Sequence, residues 1–347
     1  MMIGYVSAFL NLSIDILEKC SSIGSNSGGT WFFSTFRYAT CNPKIKTKVK
    51  NSPKLVNLEV TKLCNAKCDF CDYWQTKHEE RLTDYTQLIK KIDPLVVMVT
   101  GGEPMLRKDI VQIIDQIKKA SFFTYTGIIT KGDLLNIEKA KALYDVGIDQ
   151  IAISLDFLGD RHSENRGVSG LWDHISNLIP QISTELRRTI SINTIIMDDN
   201  LEQIVDMAKQ AKEWGANISF SSYSIMKANN EDHFIKDEVL KVEEVVKELI
   251  SLKKDWKDTI VSSDYYLEQI PKFFENGYGP SCNAGSTMMT VTPDGYIKRC
   301  SEMPAVCHYT DYKPGYFTKT ECNTCWFGCR GETQAPILSK AKELIGF

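Results

Sequence analysis

From residue 55 onward the chain repeats one pattern. A short β-branched run is followed by a longer stretch with apolar residues at helical spacing. The runs are VNLEV (56–60), VVMVT (96–100), TGIIT (126–130), QIAISLD (150–156), SINTIIM (191–197) and NISFSSY (217–223). Between them lie TDYTQLIKKI, KDIVQIIDQIKKA, NIEKAKALYDV, LWDHISNLIPQI and NLEQIVDMAKQAKEW. Strands linked in this way run parallel, with right-handed helical crossovers. Six units fall short of the eightfold closed barrel. The expected fold class is therefore α/β: a partial (β/α)6 TIM-like barrel, curved and open, with a small cysteine-rich C-terminal extension.

Ligands of parallel sheets sit at the carboxyl ends of the strands. The unusual residues of this chain collect there. CNAKCDFC (64–71) follows the first strand, GGEP (101–104) the second and KGD (131–133) the third. Ser154 and Asp156 close the fourth strand, and Asn193 lies in the fifth.

Composition narrows the class. A net charge of −3 over 347 residues gives no electrostatic case for nucleic acid as a partner. No apolar run approaches the roughly 20 residues of a membrane span. The N-terminus lacks the features of a secretory signal, so a cytoplasmic, reducing setting is expected. The chain has eleven cysteines, and they are clustered. Cys64, Cys68 and Cys71 form one group. Cys282, Cys300, Cys307, Cys322, Cys325 and Cys329 form another, while Cys20 and Cys41 stand alone. Clustered thiols in a reducing compartment signify metal or redox chemistry.

Four segments are expected. Residues 1–50 carry an amphipathic helix (Ile3, Val6, Leu10, Ile14 and Leu17) and a Ser/Gly loop; the helix packs on the main domain or, as the alternative, on a membrane surface or partner. Residues 51–235 form the barrel, 236–278 a helical linker, and 279–347 the cysteine-rich unit.

A structural zinc site wants four protein ligands. CNAKCDFC offers three, and His78 is the nearest candidate for a fourth. Three thiolates suit a [4Fe–4S] cluster with one iron left open for a substrate or cofactor. C-x3-C-x2-C with Phe70 before its last cysteine resembles the signature of the radical S-adenosylmethionine (SAM) enzymes. GGEP resembles that family's motif for the methionine amino group. TKG (130–132) stands where the family has a Thr-Asn-Gly-like turn. SLD (154–156) and Asn193 resemble its ribose and carboxylate contacts, and RGVSG (166–170) a loop after the fourth strand. The resemblance spans roughly residues 55–225. It implies a cluster on Cys64, Cys68 and Cys71. It also implies SAM contacts from Phe70, Gly101, Gly102, Glu103, Pro104, Thr130, Ser154, Asp156, Arg166 and Asn193. The activity implied is reductive cleavage of SAM to a hydrogen-abstracting radical, with an electron donor such as flavodoxin or ferredoxin. Read without the resemblance, GGEP is a turn, Ser154 and Asp156 end a strand, and Asn193 is an interior amide.

CNAGSTMMTVTPDGYIKRC (282–300) reads as a hairpin with a thiol at each end, and CNTCWFGC (322–329) adds three more. A zinc ribbon is the plain reading. Beside the first domain, the pattern resembles the SPASM extension or its shorter form, twitch, through Cys282, Gly295 and Cys300. After Cys325 only Cys329 follows, which implies one auxiliary [4Fe–4S] cluster. The expected ligands are Cys282, Cys300, Cys322 and Cys325, with Cys329 as the substitute and Cys307 free.

Three enzyme readings remain open. The first is redox-neutral dehydrogenation of a small alcohol or sugar. The second is modification of a peptide, against which stands the short segment before the barrel. The third is chemistry on a lipid or other membrane-bound substrate. A non-catalytic zinc scaffold is the reading from another class. Tyr125, Ser221, Tyr223 and Trp326 are candidates for the substrate wall, and Arg166 or His162 for a general base. The aromatic run YTDYKPGYF (309–317) is expected to cover the auxiliary site or line the channel.

Overall fold

All six β-branched runs are strands. In a computed structural model they span β1 Leu55–Thr61, β2 Val96–Gly101, β3 Tyr125–Thr130, β4 Gln150–Ser154, β5 Ser191–Ile196 and β6 Asn217–Ser222. The structure describes residues 53–121, 123–256, 258–317, 320–336 and 339. The helix expected within residues 1–50, Cys20 and Cys41 lie outside the described residues. Among those residues, no helix is long and apolar enough to cross a membrane.

Each neighbouring pair from β1 to β6 is parallel. The crossovers are α1 Thr86–Ile92, α2 Ile110–Ala120, α3 Ile137–Asp145, α4 Asp160–Arg166 with α5 Leu171–Glu185; α6 Ile204–Glu213 precedes β6. The helices form because each carries one apolar stripe. In α2, Ile110, Ile113, Ile114 and Ile117 are buried, a spacing that places them on one face. Lys118 and Lys119 occupy its last turn, where a positive charge meets the free carbonyls.

The strands obey a period of two. Val56, Leu58 and Val60 of β1 are buried in the main hydrophobic core. Their alternates, Leu55, Asn57 and Glu59, face a cavity inside the curve of the sheet. The same alternation gives the inner wall Met98 and Thr100 from β2, Asn193 from β5, and Ser219 and Ser221 from β6. The outer face is an apolar core, and the inner face mixes apolar side chains such as Leu55 and Met98 with polar ones.

The sheet does not end at β1. β7 Met288–Val291 pairs with it in parallel, with Leu55 opposite Met288 and Leu58 opposite Val291. β8 Tyr296–Lys298 and β9 Ala305–His308 follow antiparallel, giving nine strands in the order β6-β5-β4-β3-β2-β1-β7-β8-β9. The hairpin read from residues 282–300 is therefore continuous with the barrel sheet. At the other edge, the amide of Ile218 donates to Thr259 O (2.7 Å) and that of Val261 to Ile218 O (2.9 Å), so an extended segment covers β6. That segment joins α7 Val239–Asp255 to α8 Asp264–Asn276, which pack on each other.

The last described elements cross the open side of the sheet. The Gly328 amide donates to Ser221 Oγ on β6 (3.1 Å), and Ser222 Oγ donates to Trp326 O (2.5 Å). One residue further on, Cys329 shares the cavity wall with Asn57 of β1. Helix α9 Gly328–Gln334 thus sits between the first and last barrel strands. Trp326 is fully buried, stacks on Tyr266 at 5.7 Å and donates its indole N–H to Tyr266 O (3.1 Å). It anchors this crossing and does not line the cavity. The aromatic run is also structural: Tyr312 and Phe317 stack on each other and enter the main core.

Gly331 meets the anchor so closely that an added Cβ would lie 2.1 Å from the Tyr266 ring and 3.1 Å from Trp326. Replacing Gly331 with Ala is expected to cost about 1–3 kcal/mol, read by denaturant unfolding.

Candidate active site

The rim is built where β1 leaves the sheet. Glu59 is opposite Thr100 but Thr61 is opposite Gly101, so one extra residue bulges from β1. Such bulges re-aim a strand end. GGEP then packs on the bulged exit. Gly102 N donates to Thr61 O (2.8 Å) and Glu103 N to Leu63 O (2.9 Å). Gly101 has φ +139°, and a Cβ there would fall 1.9 Å from Thr61 O. In this structure the glycine admits the chain that leads into the thiol loop.

Glu103 is buried and fully engaged. Its carboxylate accepts from Met105 N (2.9 Å), Thr130 Oγ1 (2.6 Å) and Lys131 N (2.9 Å). Thr130 Oγ1 in turn accepts from Gly132 N (3.0 Å). The Lys131 ammonium pairs with Asp133 at 2.6 Å and donates to Asn65 Oδ1 in the thiol loop; Asn65 Nδ2 donates to Asp133 (2.8 Å). Three turns from three strands are thereby tied into one rim. Pro104, also buried, opens a 3-10 turn whose cap is Glu103.

The three N-terminal thiols share an apolar surround with Ala66, Phe70, Phe157, Met197 and Tyr223. Burial pushes the Cys64 and Cys68 thiols above their ordinary range, although the Arg166 guanidinium opposes this at Cys68. Arg166 Nη1 lies 3.7 Å from Cys68 Sγ. Its other terminal nitrogen pairs with Asp156, whose remaining oxygen accepts from Ile195 N (3.0 Å). Burial works against the charge on Arg166, yet Asp156 keeps the guanidinium protonated. Arg166 is therefore a donor here and cannot serve as the base. His162 cannot either. It is buried in the fold, accepts from Asp156 N (3.4 Å), and burial lowers its pKa to about 3. His78 is exposed.

The second thiol group gathers from three stretches. Cys300 and Cys325 interact with each other and with Cys282, and Cys329 interacts with Cys300 and Cys325. Burial raises Cys325, and lifts Cys300 to about 11 and Cys329 to about 12. Cys322 packs in the same cluster as Cys282, Cys300 and Cys329, with its sulfur 3.2 Å from Thr324 Oγ1. Cys307 lies apart, beside Asp311. The buried Arg330 reaches Cys325 Sγ (3.6 Å) while donating to the Cys325 and Pro280 carbonyls. Among the described residues, no three His, Cys, Asp or Glu side chains converge as a single metal ion requires. Buried thiols of high pKa become thiolates when a metal's charge compensates. Cys64 and Cys68 in the first group, and Cys300, Cys325 and Cys329 in the second, have that character.

One cavity of about 510 Å³ joins the two groups. Phe70 and Cys71 line one end, and Gly328 and Cys329 another. Ser154, Asn193 and Ser219 stand in register across three strands on its wall, with Ser219 Oγ donating to Asn193 Oδ1 (2.7 Å). Gly101, Asp156, Arg166, Tyr125, Ser221 and Tyr223 also face it. Among the lining residues that escape a motif-based reading are Glu59, Tyr73, Lys227 and Glu302. The trace of the first was an acidic residue at an inward position in the run VNLEV.

Residues 58–211 match the radical SAM superfamily. Those residues carry the radical SAM domain. Among curated proteins it resembles the GTP 3',8-cyclase of Aquifex aeolicus (strain VF5), with 28% identity over 273 residues, 73% of this chain and 83% of that protein. The GTP 3',8-cyclase of Limosilactobacillus fermentum is 26% identical over 266 residues, covering 71% and 78%. In fold it is similar to Streptococcus suis SuiB, with a TM-score of 0.61, 17% identity, and 86% of this chain and 73% of that one covered. The superfamily's cofactors, SAM and a [4Fe–4S] cluster, thus belong to this enzyme.

His233 packs against Phe70 and Tyr223 and faces Asp199 and Asp69 at 3.2 and 3.0 Å. Its hydrogen bond to Asp199, and then Asp69, raises its pKa above 6.5. Stability from this group is therefore present below pH 6.5 and lost as pH rises through the raised value. The gap in melting temperature between wild type and His233→Asn is expected to be wider at pH 5.5 than at pH 8.5.

Proposed function

We propose that this enzyme holds the SAM-binding [4Fe–4S] cluster on Cys64, Cys68 and Cys71 and an auxiliary [4Fe–4S] cluster on the C-terminal thiols, and acts on a small, polar substrate between them. The observation that carries this reading is the single cavity lined by both Cys71 and Cys329. Its volume is in the range of small-molecule sites, roughly 300–1,000 Å³. When bound, SAM and the cluster supply one-electron cleavage of the sulfonium and a carbon radical that takes a hydrogen atom from the substrate.

The protein's part is placement. Gly101, Ser154, Asp156 and Asn193 present the rim to the cofactor, and Phe70 closes its apolar side. Glu103 and Thr130 act from behind, by locking the loops. Arg166 supports Cys68 by charge and hydrogen bond, a kind of contact that tunes such clusters. Proximity gathers Cys282, Cys300, Cys322, Cys325 and Cys329 as the thiols from which the auxiliary ligands are drawn. Residues 51–235 are then the SAM-binding unit and 279–347 the auxiliary one. Oxidation of a hydroxyl-bearing carbon fits the polar row Ser154–Asn193–Ser219.

The relatives' own reaction, on GTP, is the second reading, and the 28% identity favours it. The cavity weighs against it. Among the described lining residues the cations are Arg166 and Lys227, and both already have carboxylate partners. Glu59, Asp156, Glu302 and Glu332 also line the wall. A triphosphate brings several negative charges into a site of the same sign.

Anaerobic reconstitution tests the proposal. Cys68→Ala with Cys71→Ala is expected to abolish dithionite-dependent release of 5'-deoxyadenosine and remove about half of the bound iron; continued release would overturn the assignment. Cys329→Ala is expected to lower the remaining half and leave uncoupled cleavage of SAM. GTP is expected to show no saturable binding at millimolar concentration, and micromolar binding would restore the second reading.

A further inference from the structure

β1 carries a carboxylate on its inward face, one strand position from the bulge. Glu59 is only 2% exposed and lines the cavity. Tyr73 donates its hydroxyl to Oε1. Oε2 is buried and has no hydrogen-bond partner among the described residues. The nearest cation to this pair, Lys227, is directed elsewhere. Its ammonium stands 3.4 Å from the centre of the Tyr73 ring, and its ionic contacts, at 3.9 Å each, are Asp72 and Glu302.

A carboxylate taken out of water needs two things: donors for its lone pairs and a compensating positive charge. Tyr73 supplies one donor and no charge. A substrate hydroxyl at Oε2 would add a donor but leave the charge unanswered. A protonated amine supplies both in one contact, and charge-assisted bonds of this kind are about twice as strong as neutral ones. Glu302, on the far side of Lys227, adds to the negative character of the same wall.

We propose that Glu59 is a substrate-binding residue whose free oxygen receives an ammonium group, so that the substrate class is an amine-bearing polar small molecule. This rests on the reading of the cavity as the substrate site. The amine is held against β1, and the rest of the molecule lies along the hydrogen-bonding row from Ser154 to Ser219. Tyr73 is a positioning residue: its bond to Oε1 fixes the carboxylate at the cavity wall and leaves Oε2 unpartnered.

The experiment uses reconstituted full-length enzyme with SAM, under anaerobic conditions, and matched probes. Glucosamine, putrescine and ethanolamine are each compared with their N-acetyl derivatives by equilibrium binding. At least one amine is expected to bind tenfold or more tightly than its acetylated partner. Glu59→Gln is expected to bring that ratio to within twofold, Glu59→Asp to retain part of it, and Tyr73→Phe, which keeps the carboxylate but removes the bond that fixes it, to lower the ratio without abolishing it. Absence of any amine preference in the wild type overturns the proposal, as does a preference that survives Glu59→Gln. An amine ratio unchanged in Glu59→Gln with slowed turnover would also overturn it, by making Glu59 a proton acceptor. Should Glu59→Gln not fold, the wild-type ratio and Glu59→Asp still decide. Iron content and uncoupled 5'-deoxyadenosine are read on the same samples. Their absence in the wild type sinks the radical reading, whereas their presence without amine preference sinks only this proposal.

Discussion

A parallel sheet that curves without closing has two edges and an open flank, and this protein's architecture is the answer to that constraint. Unpaired strand edges invite pairing with other chains. Here the β6 edge is covered by residues 259–261, and the β1 edge is extended by β7, β8 and β9. The open flank is crossed by the segment that carries Trp326 and Cys329. The crossing makes a groove into a chamber and brings a C-terminal thiol to its wall. Covering the interior and positioning the second thiol group are thus one structural act.

The rim depends on buried charge. Glu103 and Lys131, and likewise Asp156 and Arg166, are pairs withdrawn from water whose remaining donors and acceptors are largely occupied by loop backbone or loop side chains. Such pairs give little net stability, and removing one partner leaves an uncompensated charge. What they provide is a fixed arrangement of loops from separate strands. A cluster with an open iron needs that, since three short segments must keep their places while the cofactor comes and goes.

Much of this was legible locally. The six strands and their crossovers announce themselves because β-branched runs and helical spacing alternate without interruption. The positions of CNAKCDFC and GGEP at the rim follow from the strand ends. What was illegible is long-range. Nothing in LVNL shows that it will pair with MMTV near the other end of the chain, and AVCH (305–308) is too short to display alternation. Glu59, Tyr73, Lys227 and Glu302 come from four segments and meet only in three dimensions. The glycines of GGEP stand at the rim, and their packing on residues 61–63 shows only in three dimensions. Arg166 and His162 were sensible bases until burial and pairing were seen to deny both the role.

The parallel pairing of β1 with β7 makes the link between the two halves a ruler rather than a hinge. Four consecutive residue pairs, from Leu55–Met288 to Leu58–Val291, set where the C-terminal hairpin begins relative to the strand that ends in the first thiol loop. A slip of one residue would displace the hairpin by about 3.3 Å and turn Thr290 away from the cavity. The span between the two thiol groups is therefore quantised in steps of one residue. The gap between them is written into the hydrogen-bond ladder of a single strand pair.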